Sequence, residues 1–393
     1  MRKITLGTLS ISDQGKRYVN DCLDTNRLSY GKYTREFEEK FAAMHGCKHG
    51  IFMNSGTSAL QVALTALKEV HGYKDGDEVL VPATTFIATS NIVLQNNMVP
   101  VFVDVNPRTF NMASGKIGEK ITRKTRAIIP VHLFGLPAEM PEIMYIAESH
   151  SLQVIEDSCE SVGSTVDGKS VGSFGDMGCF STYVNHHIVG GVGGLVTTND
   201  GKLAELCRSL MAHGRDSVYS SIDAANGLTG SGLQNIVERR FKFDRVGYSY
   251  RATEIEAALA LAELGHFSQN AAKRQANASQ LINLLSGISE IQLPYVPYDS
   301  THSWMMFPII CKPYVDREKL LMYLEEHGVE TRHMFPLLES PAYRKLFPRM
   351  MEQYPVSQNL ARSGFMIGIH QNLTPEDIRY VGELIHGYFL GYK

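Results

Sequence analysis

The sequence feature that most constrains the fold is a repeated alternation of short apolar runs with helical segments. Runs such as Val79–Pro82 and Ala127–Val131 are rich in β-branched residues and too short to span a membrane, so they predict buried strands. Segments such as Pro141–His150 have helical spacing and stand between them. Because the alternation continues to about residue 210, it predicts an α/β fold with a parallel or mixed sheet covered on both faces.

The second half of the chain has a different pattern. Residues 216–240 are rich in Ser, Ala, Asn and Gly and lack clear periodicity, which predicts a surface excursion. Thr253–His266 and Lys273–Ser286 have helical spacing, and further strand and helix patterns follow them. A chain of 393 residues is long enough for more than one hydrophobic core. We therefore predict a large domain over residues 1–250 and a smaller C-terminal domain over residues 251–393.

Composition excludes several classes of protein. The 38 Lys and Arg residues stand against 41 Asp and Glu residues, a net charge of −3, so the basic excess typical of nucleic-acid or anionic-membrane binding is absent. No run approaches the roughly 18 apolar residues of a spanning helix, and the first residues lack the apolar core of a signal peptide. The six cysteines are scattered without a CxxC pair, which argues against disulfides, iron–sulfur clusters and metal sites. We expect a cytoplasmic protein.

The first candidate site is a predicted strand–turn–helix junction that contains Gly56, Thr57 and Ser58. Glycine allows backbone amides to approach a ligand closely, and a helix N-terminus offers N–H donors and a favourable dipole to an anion. The junction could therefore bind a phosphate. The alternative is an ordinary Ser or Thr cap on the helix.

The second candidate site is the acidic end of a predicted buried strand, Val154–Glu160. In α/β sheets, ligands bind at the carboxyl ends of the strands. Asp157 at this position could keep a heteroaromatic ring nitrogen protonated. The alternative is that Asp157 caps the following turn.

The third candidate site is a pair of histidines, His186 and His187, before the glycine-rich segment Gly190–Gly194. Adjacent side chains of an extended segment point to opposite sides, so the pair does not favour a shared metal ion. The glycines also lack the spacing of a dinucleotide-binding loop. A structural role is the alternative for either histidine, although the glycine-rich segment favours a functional one.

Two further positions could contact an anion or a substrate. His213 follows a predicted helix and precedes a glycine, which is typical of a helix C-cap, and a ligand contact is the second interpretation. Arg332 lies beside His333 at a predicted strand end, where binding an anion and facing solvent are both open.

Taken together and in this order, these segments resemble the DegT/DnrJ/StrS family of sugar-modifying enzymes. The resemblance covers almost the whole chain and depends on eight motifs: NSGTSAL, VPATTFIAT, VFVDVNPRTFN, IPVHLFG, VIEDSCESVG, FGDMGCFS, GGLVTTND and GYSYR. It implies a pyridoxal 5′-phosphate (PLP) enzyme with the aspartate aminotransferase (type I) fold, in which a large mixed-sheet domain is followed by a smaller C-terminal α/β domain.

The resemblance assigns roles to the residues of the candidate sites. Gly56, Thr57 and Ser58 match the residues that cradle the cofactor phosphate, and Ser181 adds a hydroxyl.

Three further positions match residues around the pyridine ring. Phe86 is expected to stack on the ring, Asp157 to pair with the ring nitrogen, and Glu160 to lie near the phenolic oxygen. A protonated ring nitrogen makes the ring an electron sink.

The GYSYR motif implies a homodimer with shared active sites, because Ser249 and Arg251 match residues that reach the partner's site. The family usually has Asn where this chain has Ser249, which weakens that cofactor contact. We expect Arg251, Arg332 and His213 to contact the substrate.

The decisive departure from the family pattern is His186, which stands where ordinary members have the lysine that forms a Schiff base with the cofactor. Imidazole cannot form that stable linkage. With an ordinary pKa of about 6.5 it can still move protons near neutral pH. The cofactor would then be held without a covalent bond and would alternate with pyridoxamine phosphate.

Three functions remain open at the level of sequence. We favour transfer of an amino group from glutamate to a keto-sugar, for amino-sugars of lipopolysaccharide or O-antigen, with His186 as the proton shuttle. The first alternative is a keto-deoxysugar 3-dehydratase, a branch of the family in which histidine replaces the lysine and ammonia is released. The second is a catalytically silent relative that binds PLP.

Overall fold

A computed structural model describes residues 3–216, 223–335 and 337–391. Within these ranges the α-helices, in chain order, are α1 Asp13–Asp24, α2 Lys32–Met44, α3 Gly56–His71, α4 Ile87–Gln95, α5 Met140–Ser149, α6 Gly201–Met211, α7 Gly230–Arg239, α8 Glu254–Leu264, α9 Phe267–Leu285, α10 Arg317–Glu326, α11 Pro341–Leu346, α12 Pro355–Ser363 and α13 Pro375–Gly391. The strands are β1 His49–Met53, β2 Glu78–Pro82, β3 Val99–Val103, β4 Thr125–Ile128, β5 Gln153–Asp157, β6 Thr165–Val166, β7 Lys169–Ser170, β8 Met177–Ser181, β9 Gly194–Thr198, β10 Ile291–Gln292, β11 Ser300–Thr301, β12 Phe307–Cys311, β13 Thr331–His333 and β14 Gly364–Ile367.

The main sheet has the order β1-β9-β8-β5-β4-β2-β3. Strand β9 pairs antiparallel with both of its neighbours, whereas the other pairs are parallel, so the sheet is mixed. Successive residues of β2 enter different cores: Val79 and Val81 pack with α3, and Leu80 packs with α5. Burial on both faces explains the continuous apolar runs in the sequence. The predicted α/β class and mixed sheet are confirmed.

A second sheet, β10-β12-β14-β13, forms in the C-terminal part of the chain and is antiparallel. It packs against helices α9, α10 and α13, and its core contains Phe307, Ile309, Leu281 and Ile385. The expected smaller α/β unit is therefore present. Its boundary at residue 250 stays a prediction.

A buried carboxylate anchors the chain just after the GYSYR motif. Glu254, the first residue of α8, is 1% exposed and accepts hydrogen bonds from the backbone N–H groups of Gly31 (2.7 Å) and Tyr33 (2.6 Å) at the start of α2. A negative charge at a helix N-terminus is stabilised by the unpaired N–H groups and the helix dipole. The contact fixes the chain beside Arg251 to the N-terminal helices.

The structure differs from the sequence-based expectations in two places. The His186 segment is not extended but forms a turn, in which the N–H of His186 donates to the Tyr183 carbonyl (2.9 Å). Part of the predicted surface excursion is the helix α7, whose only buried residue is Ile236. Residues 217–222 of that excursion lie outside the described residues. No helix within the described ranges is long and apolar enough to cross a membrane.

Candidate active site

Helix α3 begins in unusually close contact with the sheet. A Cβ atom on Gly56 would lie 2.9 Å from both the Cys159 Sγ and the Ser181 Cβ, so only glycine fits there. Ser55 is the N-cap residue, and its Oγ accepts from the N–H of Ser58 (3.0 Å). The first turn still presents N–H groups without partners in the helix, and the Thr57 side chain is exposed there. The helix is therefore capped, as the alternative interpretation predicts. Its N-terminus still has N–H donors for an anion, and the phosphate-binding role stays a prediction.

Ser181 ends β8 beside this helix start and leads into a glycine-rich hairpin. The N–H of Thr182 donates to the Gly193 carbonyl, and the N–H of Gly190 donates to the Thr182 carbonyl, both at 2.9 Å. Gly193 has a φ of +130°, and a Cβ atom there would lie 2.4 Å from the Thr182 Oγ1. The glycines are thus required because the hairpin closes tightly against β8.

His186 lies on the turn inside this hairpin. Its ring is half-buried, faces Tyr183 edge-on with centroids 6.2 Å apart, and has a buried Nδ1 without a hydrogen-bond partner among the described residues. Burial lowers the pKa of His186 to about 4; the Tyr183 carbonyl opposes this shift and Arg274 adds to it. The imidazole is therefore neutral at pH 7. This corrects the expectation of an ordinary pKa of about 6.5, because burial makes the imidazole a weaker base.

Asp157 ends β5, and its side chain is 5% exposed. Its Oδ2 accepts from the Thr89 hydroxyl (2.8 Å) and its Oδ1 accepts from the N–H of Cys159 (3.3 Å). Burial raises the pKa of Asp157, and the bond from Thr89 opposes the shift. Within the described ranges the carboxylate forms no ion pair, so a cationic partner would be strongly favoured.

Glu160 follows on the same loop and is half-buried. Its Oε2 accepts from the backbone N–H of Phe134 (2.7 Å). Burial raises the pKa of Glu160 to about 7, although the Phe134 N–H opposes the shift. Its carboxyl group can therefore exchange a proton near neutral pH.

Phe86 precedes helix α4, and its side chain is 57% exposed. Its ring meets the ring of Phe335 edge-on, with centroids 6.2 Å apart. An exposed aromatic face of this kind is available to stack on a flat ligand.

Ser249, Arg251 and His213 form a separate group in the single chain. The Arg251 guanidinium lies 3.3 Å from the His213 Nε2, and Ser249 pairs with Ala212. Ser249 and Arg251 line a cavity of about 780 Å³ whose lining does not include His186 or Asp157. The Arg251 backbone pairs with Met53, three residues before Gly56, although this cavity does not reach His186 or Asp157. The predicted role of these residues in the partner's site stays a prediction.

Arg332 lies on the exposed edge strand β13 of the second sheet. Its guanidinium donates to Glu330 (2.6 Å) and to the Thr331 carbonyl (2.7 Å). Glu330 in turn accepts from the N–H of Leu6 (3.0 Å). Arg332 is thus partnered by this carboxylate, and its role as a substrate contact stays a prediction.

The sequence-based reasoning missed the residues that support Asp157. Thr89 was detectable as the third threonine of the TTFIAT motif, but only the packing of α4 on β5 shows its bond to the carboxylate. A fully buried pair adjoins it, in which His132 Nε2 lies 3.1 Å from Glu156 Oε2. Glu156 also accepts from the N–H groups of Gly172 (2.8 Å) and Phe174 (2.6 Å). These bonds hold the end of β5 in place.

The geometry fits the cofactor that the motifs imply. A glycine-dependent helix start can bind a phosphate, and the buried Asp157 carboxylate lacks a cation that a protonated ring nitrogen could supply. The buried Nδ1 of His186 also lacks a partner in the described part of the chain. The β5–β8 pairing and the close contact of Gly56 with Ser181 bring the ends of β5, β8 and α3 together.

Known proteins support the same assignment. The model of the DegT/DnrJ/EryC1/StrS aminotransferase family matches residues 10–386. The chain is 33% identical to a GDP-perosamine synthase of Escherichia coli O157:H7, over 99% of each chain. It is 34% identical to a dTDP-4-dehydro-2,6-dideoxy-D-glucose 3-dehydratase of Saccharopolyspora spinosa, over 91% of this chain and 80% of the relative.

A solved structure gives the corresponding result for the fold. The E. coli GDP-4-keto-6-deoxy-D-mannose-3-dehydratase with bound hydrated PLP superposes with a TM-score of 0.88, with 27% identity and coverage of 98% of this chain and 99% of that chain. The predicted family and fold are both confirmed. The chain belongs to the DegT/DnrJ/EryC1/StrS aminotransferase family.

Proposed function

We propose that this enzyme uses PLP to transfer an amino group from glutamate to a keto-sugar, with His186 as the proton shuttle. The observation that carries the proposal is the environment of His186: a neutral, half-buried imidazole with an unpartnered Nδ1, on the hairpin that directly follows Ser181. Relatives named as sugar aminotransferases support amination. Another relative is named a lipopolysaccharide biosynthesis protein. This name supports a role in amino-sugar synthesis for cell-surface polysaccharide.

Each part of the site contributes one task. The bound cofactor supplies an electron sink that stabilises negative charge on the carbon that loses a proton. Gly56, Thr57, Ser58 and Ser181 hold its phosphate, because the first turn of α3 and a hydroxyl supply hydrogen-bond donors.

The ring-side residues control charge and protons. Asp157 would keep the ring nitrogen of the bound cofactor protonated, and Phe86 would cover the face of the ring. Glu160, with a pKa of about 7, can donate or accept a hydrogen bond at the ring oxygen. His186, through its unpartnered ring nitrogen, would take up the α-proton of glutamate and give it back, and it would act in the opposite sense when the keto-sugar is the acceptor.

The 3-dehydratase reaction is a second candidate, favoured by the histidine at position 186 and by the structural similarity to a solved 3-dehydratase. The first half-reaction is shared. In the second, loss of a neighbouring hydroxyl group instead of protonation of the sugar carbon gives a deoxy-sugar and ammonia.

One experiment separates the candidates. The purified enzyme with PLP is incubated with glutamate that is isotopically labelled at its amino nitrogen and with a panel of nucleotide-linked 4-keto-hexoses. The products are analysed by mass spectrometry. Label retained in the sugar supports amination. Labelled ammonium together with a deoxy-sugar that has lost one oxygen atom relative to the substrate would instead establish the dehydratase.

The silent relative is tested by the absorption spectrum of the bound cofactor. Glutamate should convert the aldehyde form to the amine form. A spectrum that does not change at any glutamate concentration would contradict the proposed enzymatic activity and would support a catalytically silent protein that binds PLP.

We further propose a homodimer in which Ser249 and Arg251 complete the partner's site. The cavity that these residues line, which does not include His186 or Asp157, supports this arrangement. Mixed dimers of Arg251→Ala and Asp157→Asn should regain activity, because one of their two sites has both wild-type residues. Mixed dimers of Asp157→Asn and His186→Ala should not regain activity. Both residues belong to the same chain's site, so each of the two sites would contain one altered residue.

A cytoplasmic location is also proposed for the protein. All six cysteines are free thiols in the structure, and five of them are buried. Free thiols of this kind fit a reducing compartment.

A further inference from the structure

His187, the neighbour of His186, makes a bond that the proposed chemistry does not use. Its side chain is 3% exposed, and its Nε2 lies 2.9 Å from the carbonyl oxygen of Ser303. A carbonyl oxygen can only accept, so Nε2 carries the proton and donates it. The Nδ1 of His187 has no partner among the described residues. Burial lowers the pKa of His187 well below its ordinary value, and Arg274 acts in the same direction, so the ring is neutral.

The acceptor belongs to the short connection His302–Met305, which we call the Trp304 turn. Trp304 has a φ of +55°, a conformation that bulky residues rarely adopt and that the surroundings must hold. Two backbone bonds of 2.9 Å join this turn to a second one: Ser303 N–H donates to the Gly135 carbonyl, and Met305 N–H donates to the Phe134 carbonyl.

Arg274 of α9 fixes the Trp304 turn from its other side. The side chain is 2% exposed, and one guanidinium nitrogen donates to the carbonyls of Trp304 (2.9 Å) and Met305 (3.2 Å). Its Nε donates to the Gln371 amide oxygen (3.0 Å). Within the described part of the chain Arg274 forms no ion pair. This buried cation is therefore satisfied by the carbonyl groups that it holds in place.

The second turn connects to the other flank of the site. Phe134 has a φ of +59°, and its N–H donates to the Glu160 Oε2 (2.7 Å). A Cβ atom on Gly135 would lie 2.6 Å from the Ser303 Oγ, so the two turns meet in close contact. One pair of turns thus joins the neighbour of His186 to Glu160.

We propose that His187 is a positioning residue, whose bond to the Ser303 carbonyl sets the orientation of the His186 turn against the Glu160 side of the site. The proposal rests on the proposed function of His186. Without the bond, the turn has hydrogen bonds to its own hairpin but loses its connection to the Trp304 turn. A proton shuttle depends on such alignment, since a displacement of about 1 Å can lower a rate by about 100-fold.

The experiment compares His187→Leu, which removes the donor, with His187→Gln, whose amide can reach the same carbonyl. His386→Leu is the matched control. His386 lies on α13, and its Nε2 also contacts a backbone carbonyl, that of Leu284 on α9, at 2.7 Å. Amide hydrogen exchange of residues 182–190 is measured in the cofactor-free protein. The rate of the glutamate-driven spectral change is measured in the holoenzyme.

Of these variants, we expect only His187→Leu to show faster amide exchange in residues 182–190. Its rate of glutamate-driven spectral change should be about 10-fold to 100-fold lower at an unchanged KM for glutamate. His187→Gln should restore both values to near wild type. The same exchange and rate in His187→Leu as in His386→Leu would overturn the proposal, and so would a Gln variant as impaired as Leu. If His187→Leu does not fold, His187→Asn, whose amide is too short to reach Ser303, replaces it in the same comparison.

The exchange measurement also separates this proposal from the proposed function. A wild-type holoenzyme without any glutamate-driven spectral change would contradict the function. The exchange pattern of the cofactor-free variants would still decide whether His187 holds the turn.

Discussion

The end of β5 and the turn that follows β8 belong to neighbouring strands but are held by different kinds of contact. At the end of β5, Asp157 and Glu156 each accept two or more hydrogen bonds, which leave their side chains little freedom of orientation. On the turn after β8, the ring of His186 has a buried nitrogen without a described partner. The difference teaches that Asp157, the proposed cofactor contact, is fixed by hydrogen bonds to its own carboxylate. His186, the proposed proton shuttle, is instead placed through the backbone of its turn and through the neighbouring His187.

The largest effect is expected from a substitution that removes the proposed proton shuttle from the turn after β8. His186→Ala should lower the rate of the glutamate-driven spectral change by about 100-fold to 10,000-fold, because general base catalysis contributes about that much. Cofactor affinity, measured by absorbance titration, should change far less. His45→Ala serves as the control, since it removes another buried histidine from a position among Phe41 and Phe180. A similar loss in that control would contradict the assignment.

Loss of the charge at the end of β5 should affect binding and chemistry together. Asp157→Asn keeps the size of the side chain and its bond from Thr89 but cannot pair with a protonated ring nitrogen. Hydrogen bonds to charged groups are worth about 1.5–3 kcal/mol, so we expect cofactor affinity to fall about 10-fold to 100-fold. Thr89→Val should have a smaller effect of the same kind. An unchanged affinity in Asp157→Asn would remove Asp157 from the site.

The close contact at the start of α3 gives a third test. Gly56→Ala would place a Cβ atom 2.9 Å from Cys159 Sγ and Ser181 Cβ, which should shift the helix start and cost about 1–3 kcal/mol of stability. Phosphate-dependent binding of the cofactor should weaken in parallel. Gly115→Ala, with no heavy atom within 4 Å of the added carbon, is the control. Thermal unfolding and inorganic phosphate competition measure both effects, and equal behaviour of the two variants would contradict the predicted contact.

The smallest expected effect concerns pH and Glu160. Burial raises the pKa of Glu160 from 4.5 to about 7 in the folded protein, so between these values the unfolded chain has already lost the proton that the folded chain keeps. Stability should therefore fall as the pH rises through this window. Glu160→Gln has no such carboxylate, so its melting temperature relative to that of the cofactor-free wild type should rise from pH 4.5 to above pH 7. A constant difference would show that Glu160 has an ordinary pKa.

Much of this site was predictable because it lies at the ends of regular elements. Asp157 and Ser181 are the last residues of buried strands, and Gly56 starts a helix, so local patterns predicted the positions of all three residues. His186 was identified because it occupies the position of an expected lysine. The turn that carries it was predicted as an extended segment, and its hydrogen bonds within the glycine-rich hairpin explain why that prediction was wrong.

Other features could not be predicted from local patterns. Thr89 supports Asp157 across 68 residues of sequence, and His187 reaches Ser303 across 116. No spacing rule links such pairs, because they meet only after helices pack on the sheet. Ser249 and Arg251 illustrate the same limit, since one chain places them around a separate cavity.

The amino-acid sequence by itself determined the α/β class, the family and the candidate residues at the strand and helix ends, because these depend on periodicity, short motifs and the chemistry of single side chains. Only the tertiary structure decided the environment of those residues. The neutral state of His186, the raised pKa of Glu160 and the pair of turns between His187 and Glu160 all arise from burial and from contacts between distant segments. Burial and distant contacts depend on three-dimensional packing, which local sequence patterns do not contain.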